Sequence, residues 1–501
     1  MGCDCCPDAA DLSQSDESAL TSFCVEKGWG GKTLGPCTAP RLLRCTVEQS
    51  GRFSRVPAEE GSMKRARVVC FVNHTAETGG AEFALSRLVA GMDRVLWHPV
   101  VVFGEHGPAV DLFRSRGIET YVLPIPQRIR KARRGSLSGA AWFQPGAVWD
   151  GGAYVAKLVS FFRTRAVEIV HTNSMKAHLL GGLAARVAQI PLVWHLRDSL
   201  HPAHLPPVAL RLMRRLAKTL PQRLVCVSKS VAEDAMGSTV AQHAVVVYDG
   251  LDPVCFKSPA PTPGVEPPAV WRVGMVGRFA PWKGQHVFLE AAAKLIQRGH
   301  RVHFELLGAP LFGEDDYAQR LHKFVASTAM QTHVSFLGFV SDVPQRIREW
   351  HALVHASTAP DPCPNVVLEA MAAGVPVVGA DGGGVPELLD EGRSGALFPM
   401  DDPDALCQQL EAVFAQPLLR GEYAAKGRQR ALNLFGSERV VHEVATVWDA
   451  VFDPAVYRRR RWAWLENEIT LTHRGWADAA SRDGEKLPME AKGEEGLTVA
   501  R

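Results

Sequence analysis

The stretch PDPCPNVVLEAMAAGVPVVGA, residues 360–380, changes character twice in twenty-one residues. Pro360, Pro362 and Pro364 stiffen the segment around Asp361, because each proline fixes φ and lacks a backbone N–H. From Asn365, a favourable N-cap type, the apolar spacing predicts a helix over about 365–373. Gly374 and Pro376 predict its end, and PVVGA (376–380) reads as a short buried strand. Loop, helix and strand in this order are one unit of a parallel sheet covered on both faces. Two carboxylates eight residues apart, Asp361 in the stiff loop and Glu369 in the apolar helix, ride on that unit.

The same alternation extends outward on both sides. Upstream, ALVHAS (352–357), HVSFLGF (333–339), RVHFELLG (301–308) and WRVGMVGRF (271–279) are strand candidates, with helices expected at about 285–298 and 317–328. Downstream, DGGGVPELL (381–389) is a further glycine loop, and SERVVHEVATVWDAVFDP, after about Phe435, is one more amphipathic helix. The rhythm breaks at SPAPTPGVEPPAV (258–270), where five prolines in thirteen residues exclude a helix or a central strand. Before that break it runs back to Met63 through PLVWHLRD (191–198), RLVCVSKS (223–230), VEIVHTN (167–173), TYVLPI (120–125), HPVVVFG (98–104) and RVVCFVNH (67–74). Helical patterns such as GGAEFALSRLVAGM (79–92) and KAHLLGGLAARVAQ (176–189) fall between them.

The expected architecture is α/β, two doubly wound Rossmann-like domains facing across a cleft. Residues 63–255 form the first domain, 256–270 a linker, 271–435 the second domain, 436–460 a returning helix and 461–501 a charged tail. In such sheets ligands bind beyond the carboxyl ends of the strands, and a cleft between domains is a common ligand site.

Composition narrows the function. The chain has 501 residues, 46% hydrophobic and 22% charged, with a formal net charge of +3. That near-balance argues against a dedicated nucleic-acid binder. No apolar run approaches the roughly 18 residues of a membrane span, and Met1 opens no secretory pattern, so a cytoplasmic protein is expected. Six of the eleven cysteines precede Met63. No second Cys or His pair at zinc spacing follows CDCC, and position 6 is Cys where a myristoylation pattern wants Ser or Thr. Residues 1–62 show no helix or strand period and are expected to be a disordered extension or an over-extended start.

The loop GRFAPWKG (277–284) carries the next signal. Arg278 and Lys283 stand five apart after a strand, and Gly284 permits a tight turn into the next helix. Two cations at a strand's carboxyl end beside a helix N-terminus suit a diphosphate. Two solvated cations at a turn would look the same, and the loop has neither dinucleotide GxGxxG nor Walker spacing. Glu369 likewise fits either an exposed helix stripe or a site, and Asp361 either a turn or a site.

Together these segments are more specific. VGRFAPWKG, followed about eighty residues later by PDPCPNVVLEAMAAGVPVVGADGGGVPELL, closely resembles the signature of the retaining GT-B glycosyltransferases of family 4 type. GGAE (79–82), HTNSMKAHLLGGLAAR (171–186), PLVWHLRD, CVSKSVAED (226–234) and VVVYDGLD (245–252) resemble further parts of that family, over roughly Met63 to Asp453. The resemblance implies a role for each matching residue. Glu369 matches the second acid of the family's E-x7-E motif and would accept hydrogen bonds from nucleotide ribose hydroxyls. Asp361 matches the first acid and would hold donor-sugar hydroxyls. Arg278 and Lys283 would neutralise the leaving diphosphate without a metal. Asn365 and Val366, at the helix start, fall among the donor-binding positions. Gly79 and Gly80 match the loop approaching the diphosphate and acceptor, and His195 matches a cleft histidine beside the donor sugar. Phe339 and Val340 lie where backbone meets the base.

Two departures stand out. The first acid is Asp361 where the family has Glu, and Cys363-Pro364 replaces Phe-Gly, which removes one backbone N–H from the sugar site. The implied reaction is retaining transfer from a nucleoside-diphosphate sugar, UDP- or GDP-type, to a hydroxyl acceptor that is a sugar, a lipid-linked glycan or a small molecule. No cofactor, metal or nucleic acid is implied. The basic runs RIRKARR (128–134) and RLMRRLAK (211–218) fit either a solvated face or contact with an anionic membrane surface. A non-catalytic nucleotide-sugar binding subunit and a GT-B-like nucleotide-sugar epimerase are the competing functions.

Overall fold

The computed structural model describes residues 65–131, 145–237, 244–257, 267–311, 313–340 and 342–452. The expectations for residues 1–62, the tail, most of the proline-rich join and the last three residues of RIRKARR lie outside them.

Two parallel sheets carry the described chain. The first holds β1 (Arg67–Asn73), β2 (Trp97–Phe103), β3 (Glu119–Val122), β4 (Ile169–Thr172), β5 (Leu192–Leu196), β6 (Arg223–Cys226) and β7 (Ala244–Val246), in the order β3-β2-β1-β4-β5-β6-β7. The second holds β8 (Trp271–Val276), β9 (Val302–Leu307), β10 (Val334–Gly338), β11 (Ala352–His355), β12 (Val377–Asp381) and β13 (Ala396–Pro399), in the order β10-β9-β8-β11-β12-β13. Both orders reverse direction beside their first strand, at β1/β4 and at β8/β11. That reversal opens a crevice at the carboxyl ends of those strands. The expected two Rossmann-like domains are therefore observed.

The strands are apolar runs because each is covered on both faces. In β1, Val69 and Phe71 pack on one side with Leu85, Trp97 and Trp448, while Cys70 and Val72 pack on the other with Leu158, Leu180 and Leu196. That second cluster continues into the C-terminal domain through Leu353, Val367, Met371 and Leu388, so apolar packing joins the two halves. The last helix, Ser437–Phe452, returns to the N-terminal sheet. It buries Val440, Val444, Val447 and Trp448 against β1 and its neighbours, the 3.6-residue spacing of an amphipathic helix. Among the described residues no helix is long and apolar enough to cross a membrane.

The helix of the opening stretch spans Asn365–Ala373, and Gly374 ends it at φ +74°. Asn365 is not its N-cap. Pro364, extended at φ −70° and ψ 110°, holds that place, and Asn365 is the first helical residue. Its amide is engaged across the domain boundary instead.

Candidate active site

The β8 and β11 loops meet at the C-terminal switch point. Pro281–Lys283 form one 3-10 turn, and Gly284 follows at φ +74°. A Cβ on Gly284 would lie 1.7 Å from the Ala356 carbonyl oxygen, at the end of β11. Only glycine lets the two loops approach this closely. The glycine loop after β12 closes the other side. Gly383, at φ +64°, pairs with Asp361, the Gly384 N–H donates to the Asp361 carbonyl at 2.8 Å, and a Cβ on Gly384 would meet the Pro362 carbonyl at 2.1 Å. The proline-stiffened acid loop is thus clamped between two glycine turns.

Inside the clamp, Asp361 is 5% exposed. Lys283 Nζ donates to its Oδ2 at 2.5 Å, and His355 Nε2 lies 3.0 Å from the same oxygen. Burial alone would raise the Asp361 carboxyl. The Lys283 ammonium and the His355 hydrogen bond outweigh that and hold it well below the usual carboxylate range. Lys283 also lies 4.2 Å over the Trp282 ring. Arg278 is paired with Glu314, and the Gln285 side chain fixes the Arg278 carbonyl at 2.9 Å. Both candidate phosphate cations are therefore held in ion pairs, Lys283 with the candidate sugar-binding acid itself. Phe339 is 75% exposed just beyond β10, and Val340 packs at the edge of the shared core.

Glu369, half-buried, faces the N-terminal domain. Burial pushes its carboxyl up to about 7, with Arg87 pulling it down and Asp252 raising it. Arg87 donates to Asn365 Oδ1 at 3.1 Å, and Asn365 Nδ2 donates to the Gly80 carbonyl at 2.8 Å. So Gly80, Asn365 and the Glu369 helix converge, with Val366 beside them, and Gly79 caps the facing helix Gly80–Ala90. His195 stands apart. It is 1% exposed on β5, and its hydrogen bond goes to His171 in its own domain.

Two further contacts span the domains. His204 lies 2.9 Å from the Pro360 carbonyl. Glu387, in the short helix Val385–Leu388, accepts from the Lys229 N–H at 2.9 Å, the Ser230 N–H at 3.2 Å and the Tyr248 hydroxyl at 3.0 Å. The C-terminal domain thus caps an N-terminal-domain helix, Lys229–Met236, whose orphan first-turn N–H groups favour an anion. Sequence reasoning missed Glu387, His355 and Glu314. The available signals were a carboxylate in an otherwise apolar four-residue helix and a histidine closing a buried strand. Glu387→Ala is expected to lower stability by about 1.5–3 kcal/mol, the weight of a hydrogen bond to a charged group. Urea unfolding monitored by circular dichroism measures it, and a midpoint equal to wild type would refute the latch.

Comparison with known proteins supplies the family. The model described as Glycosyltransferase Family 4 matches residues 78–254, and that described as Glycosyl transferases group 1 matches 271–416, together more than half of the chain. The chain belongs to the family 4-type GT-B glycosyltransferases. This glycosyltransferase is 28% identical over 180 residues to spore coat protein SA of Bacillus subtilis, a match spanning 35% of the chain and 47% of that relative. It is 27% identical over 293 residues to the phosphatidyl-myo-inositol mannosyltransferase of Mycobacterium tuberculosis, spanning 57% of the chain and 74% of that relative. Among solved structures it resembles Anabaena HepE, crystallised in complex with UDP and glucose. There the TM-score is 0.64 and the identity 26%, over 76% of this chain and 99% of that one. Among the described residues, no group of three or more His, Cys, Asp or Glu side chains is placed to hold a metal ion.

Proposed function

We propose that this glycosyltransferase moves a sugar from a nucleoside-diphosphate sugar to a hydroxyl acceptor in polysaccharide or glycolipid synthesis, with retention at the anomeric carbon and without a metal ion. The observation that carries this reading is the Lys283–Asp361 pair clamped at the β8/β11 switch point, with Arg278 in the same loop as Lys283 and Glu369 on the helix that follows Asp361. HepE, crystallised with UDP and glucose and with UDP-glucose, supports a nucleotide-sugar donor.

In this reading the diphosphate exchanges places with carboxylates. Arg278 turns from Glu314, and Lys283 shares its charge between Asp361 and the phosphate. Among the described residues the Asp361 side chain bonds to Lys283, His355 and Ser357 through Oδ2, which leaves Oδ1 for a sugar hydroxyl. Glu369, acceptor-only when ionised, takes the ribose diol. The bond from the anomeric carbon to the β-phosphate oxygen breaks, the acceptor oxygen bonds to the same face, and its proton passes to the departing phosphate oxygen. Arg278 and Lys283 stabilise the charge that develops there. Gly79 and Gly80 border the acceptor side and Phe339 and Val340 border the base, while His195, 1% exposed within the N-terminal sheet, is given no contact with the sugar. The exposed basic and apolar residues of the helix Pro207–Thr219, Arg211, Arg215, Val208 and Leu212, favour an acceptor held at an anionic membrane surface.

Proton NMR of the product with UDP- and GDP-sugar donors, run with and without EDTA, tests the proposal. The expected product keeps the donor's anomeric configuration at a rate unchanged by chelation. An inverted product, or activity abolished by EDTA and restored by a divalent ion, would overturn it.

A further inference from the structure

The acid loop is pinned from both domains. The Asp361 carbonyl accepts from the Gly384 N–H at 2.8 Å, which fixes the peptide after Asp361 within the C-terminal domain. The peptide before Asp361 is held from across the cleft. His204, between β5 and the helix Pro207–Thr219, places its Nε2 2.9 Å from the Pro360 carbonyl oxygen. A carbonyl only accepts, so His204 Nε2 carries a proton and donates it to this bond. With both flanking peptides fixed, the direction in which the Asp361 side chain leaves the backbone is fixed as well.

The same imidazole reaches the other loop of the site. Its ring meets the Trp282 ring edge-on, with centroids 6.0 Å apart and planes at 77°. Trp282 carries the Lys283 ammonium 4.2 Å above its ring, and its carbonyl accepts from the Thr358 N–H at 2.9 Å. Lys283 in turn donates to Asp361. One N-terminal-domain side chain thus touches the support of each member of the pair. We propose that His204 is a positioning residue that holds Lys283 and Asp361 in register from across the cleft, and so ties the arrangement of the donor site to contact between the two domains. It is given no contact with donor or acceptor. The inference rests on the functional reading above for what the pair binds, and on the geometry alone for how the pair is held.

His204 is itself held in place. The His204 and Leu205 N–H groups both donate to the His201 carbonyl, at 3.0 and 3.2 Å, and the Ala203 N–H donates to His201 Nδ1 at 3.2 Å. Leu200 and Leu205, on either side of this turn, are buried in the core that joins the two halves. Arg214, in the helix that follows, donates to the Leu200 carbonyl at 2.9 Å. A turn anchored at both ends has little freedom left to lose when its side chain makes a contact, so the contact costs little to form.

The test uses the full chain with His204→Ala, His204→Phe and His204→Gln, each checked for folding by circular dichroism. Alanine removes both contacts, phenylalanine fills the space without a donor, and glutamine keeps a donor without the ring. Amide hydrogen exchange at Thr358 and Gly384, whose N–H groups bond to Trp282 and Asp361, reads the positioning with no ligand present. Exchange there is expected to quicken about tenfold in His204→Ala and to return toward wild type in His204→Gln, with the sheet cores unchanged. Calorimetry then compares UDP, GDP, ADP and dTDP with their monophosphates. For the nucleotide that binds, the affinity added by the second phosphate should fall about tenfold in His204→Ala, the lower end of what a bond to a charged group is worth, while monophosphate affinity stays. A residue that merely stabilised the fold would weaken both ligands together. Unchanged exchange in a folded His204→Ala, or in His204→Phe where alanine does not fold, would overturn the proposal. So would an unchanged contribution of the second phosphate. If the wild type binds no nucleotide, the donor-site reading falls, and loop exchange alone decides whether His204 positions the pair.

Discussion

Replacing Lys283 by alanine is expected to slow sugar transfer by about 10² to 10³-fold, the usual consequence of removing one donor from a developing charge. The same change leaves Asp361 buried and without its cation, a loss worth up to about 3–5 kcal/mol for a buried pair broken on one side. His355 remains on the carboxylate and tempers that figure. The sign of the pH effect follows from the direction of the Asp361 shift. Its pKa is lower folded than unfolded, so its stabilising contribution is present above the unfolded value of about 3.9 and vanishes as pH falls through the folded value. Lys283→Ala removes the largest of the influences that depress it, so acid unfolding should begin at a higher pH. The pair Lys283→Met with Asp361→Asn separates the two effects. It should recover stability, because no unpaired charge remains, and recover none of the rate. A double variant that regains activity would show that the Lys283 charge serves folding only.

Gly284→Ala is expected to damage the site through the backbone. The new Cβ would sit 1.7 Å from a carbonyl oxygen of the β11 loop, a partner that cannot rotate away. The left-handed conformation and the overpacking together are worth about 2–5 kcal/mol. The loop can relieve the clash only by carrying Lys283 away from Asp361, and a displacement near 1 Å can cost about 10²-fold in rate. Gly299→Ala is the matched control. Gly299 has φ +83° with nothing within 4 Å of an added Cβ, so it should show the conformational penalty of about 1–2 kcal/mol with activity intact. Equal effects in the two variants would mean that the close approach of the β8 and β11 loops is not a requirement of the site.

Much of this molecule is legible in short stretches of sequence, and the reason is local. Strands buried on both faces are apolar runs whatever their neighbours, so RVVCFVNH and WRVGMVGRF announce β1 and β8. Gly374 and Pro376 mark a helix end through their own φ preferences. What escapes is whatever depends on a distant partner. Asn365 has the chemistry of a helix cap, yet its amide bonds to Gly80 and Arg87, 285 and 278 residues away. Glu387 reads as one acid in an apolar helix until Lys229, Ser230 and Tyr248 are set beside it. His195 matches a family position, but its neighbour His171 takes a hydrogen bond from Trp448, 277 residues away in sequence. The pairing of Lys283 with Asp361 also differs from the sequence picture of one group for phosphate and another for sugar, because the glycine clamp brings the two loops within bonding reach.

The donor site is tested most directly by calorimetric titration of the wild-type protein and Glu369→Ala with UDP, GDP, ADP and dTDP at pH 6 and pH 8, without metal. One nucleotide should bind saturably to the wild type, and the variant should bind it about 10- to 100-fold more weakly, matching the about 1.5–3 kcal/mol of a charge-assisted bond. With its carboxyl pushed up to about 7, Glu369 is ionised in about one-tenth of molecules at pH 6 and about nine-tenths at pH 8. Wild-type affinity should therefore fall nearly tenfold at the lower pH, with that part of the slope missing in the variant. Equal affinity in wild type and Glu369→Ala, or no binding of any of the four nucleotides, would contradict a nucleoside-diphosphate site at this helix.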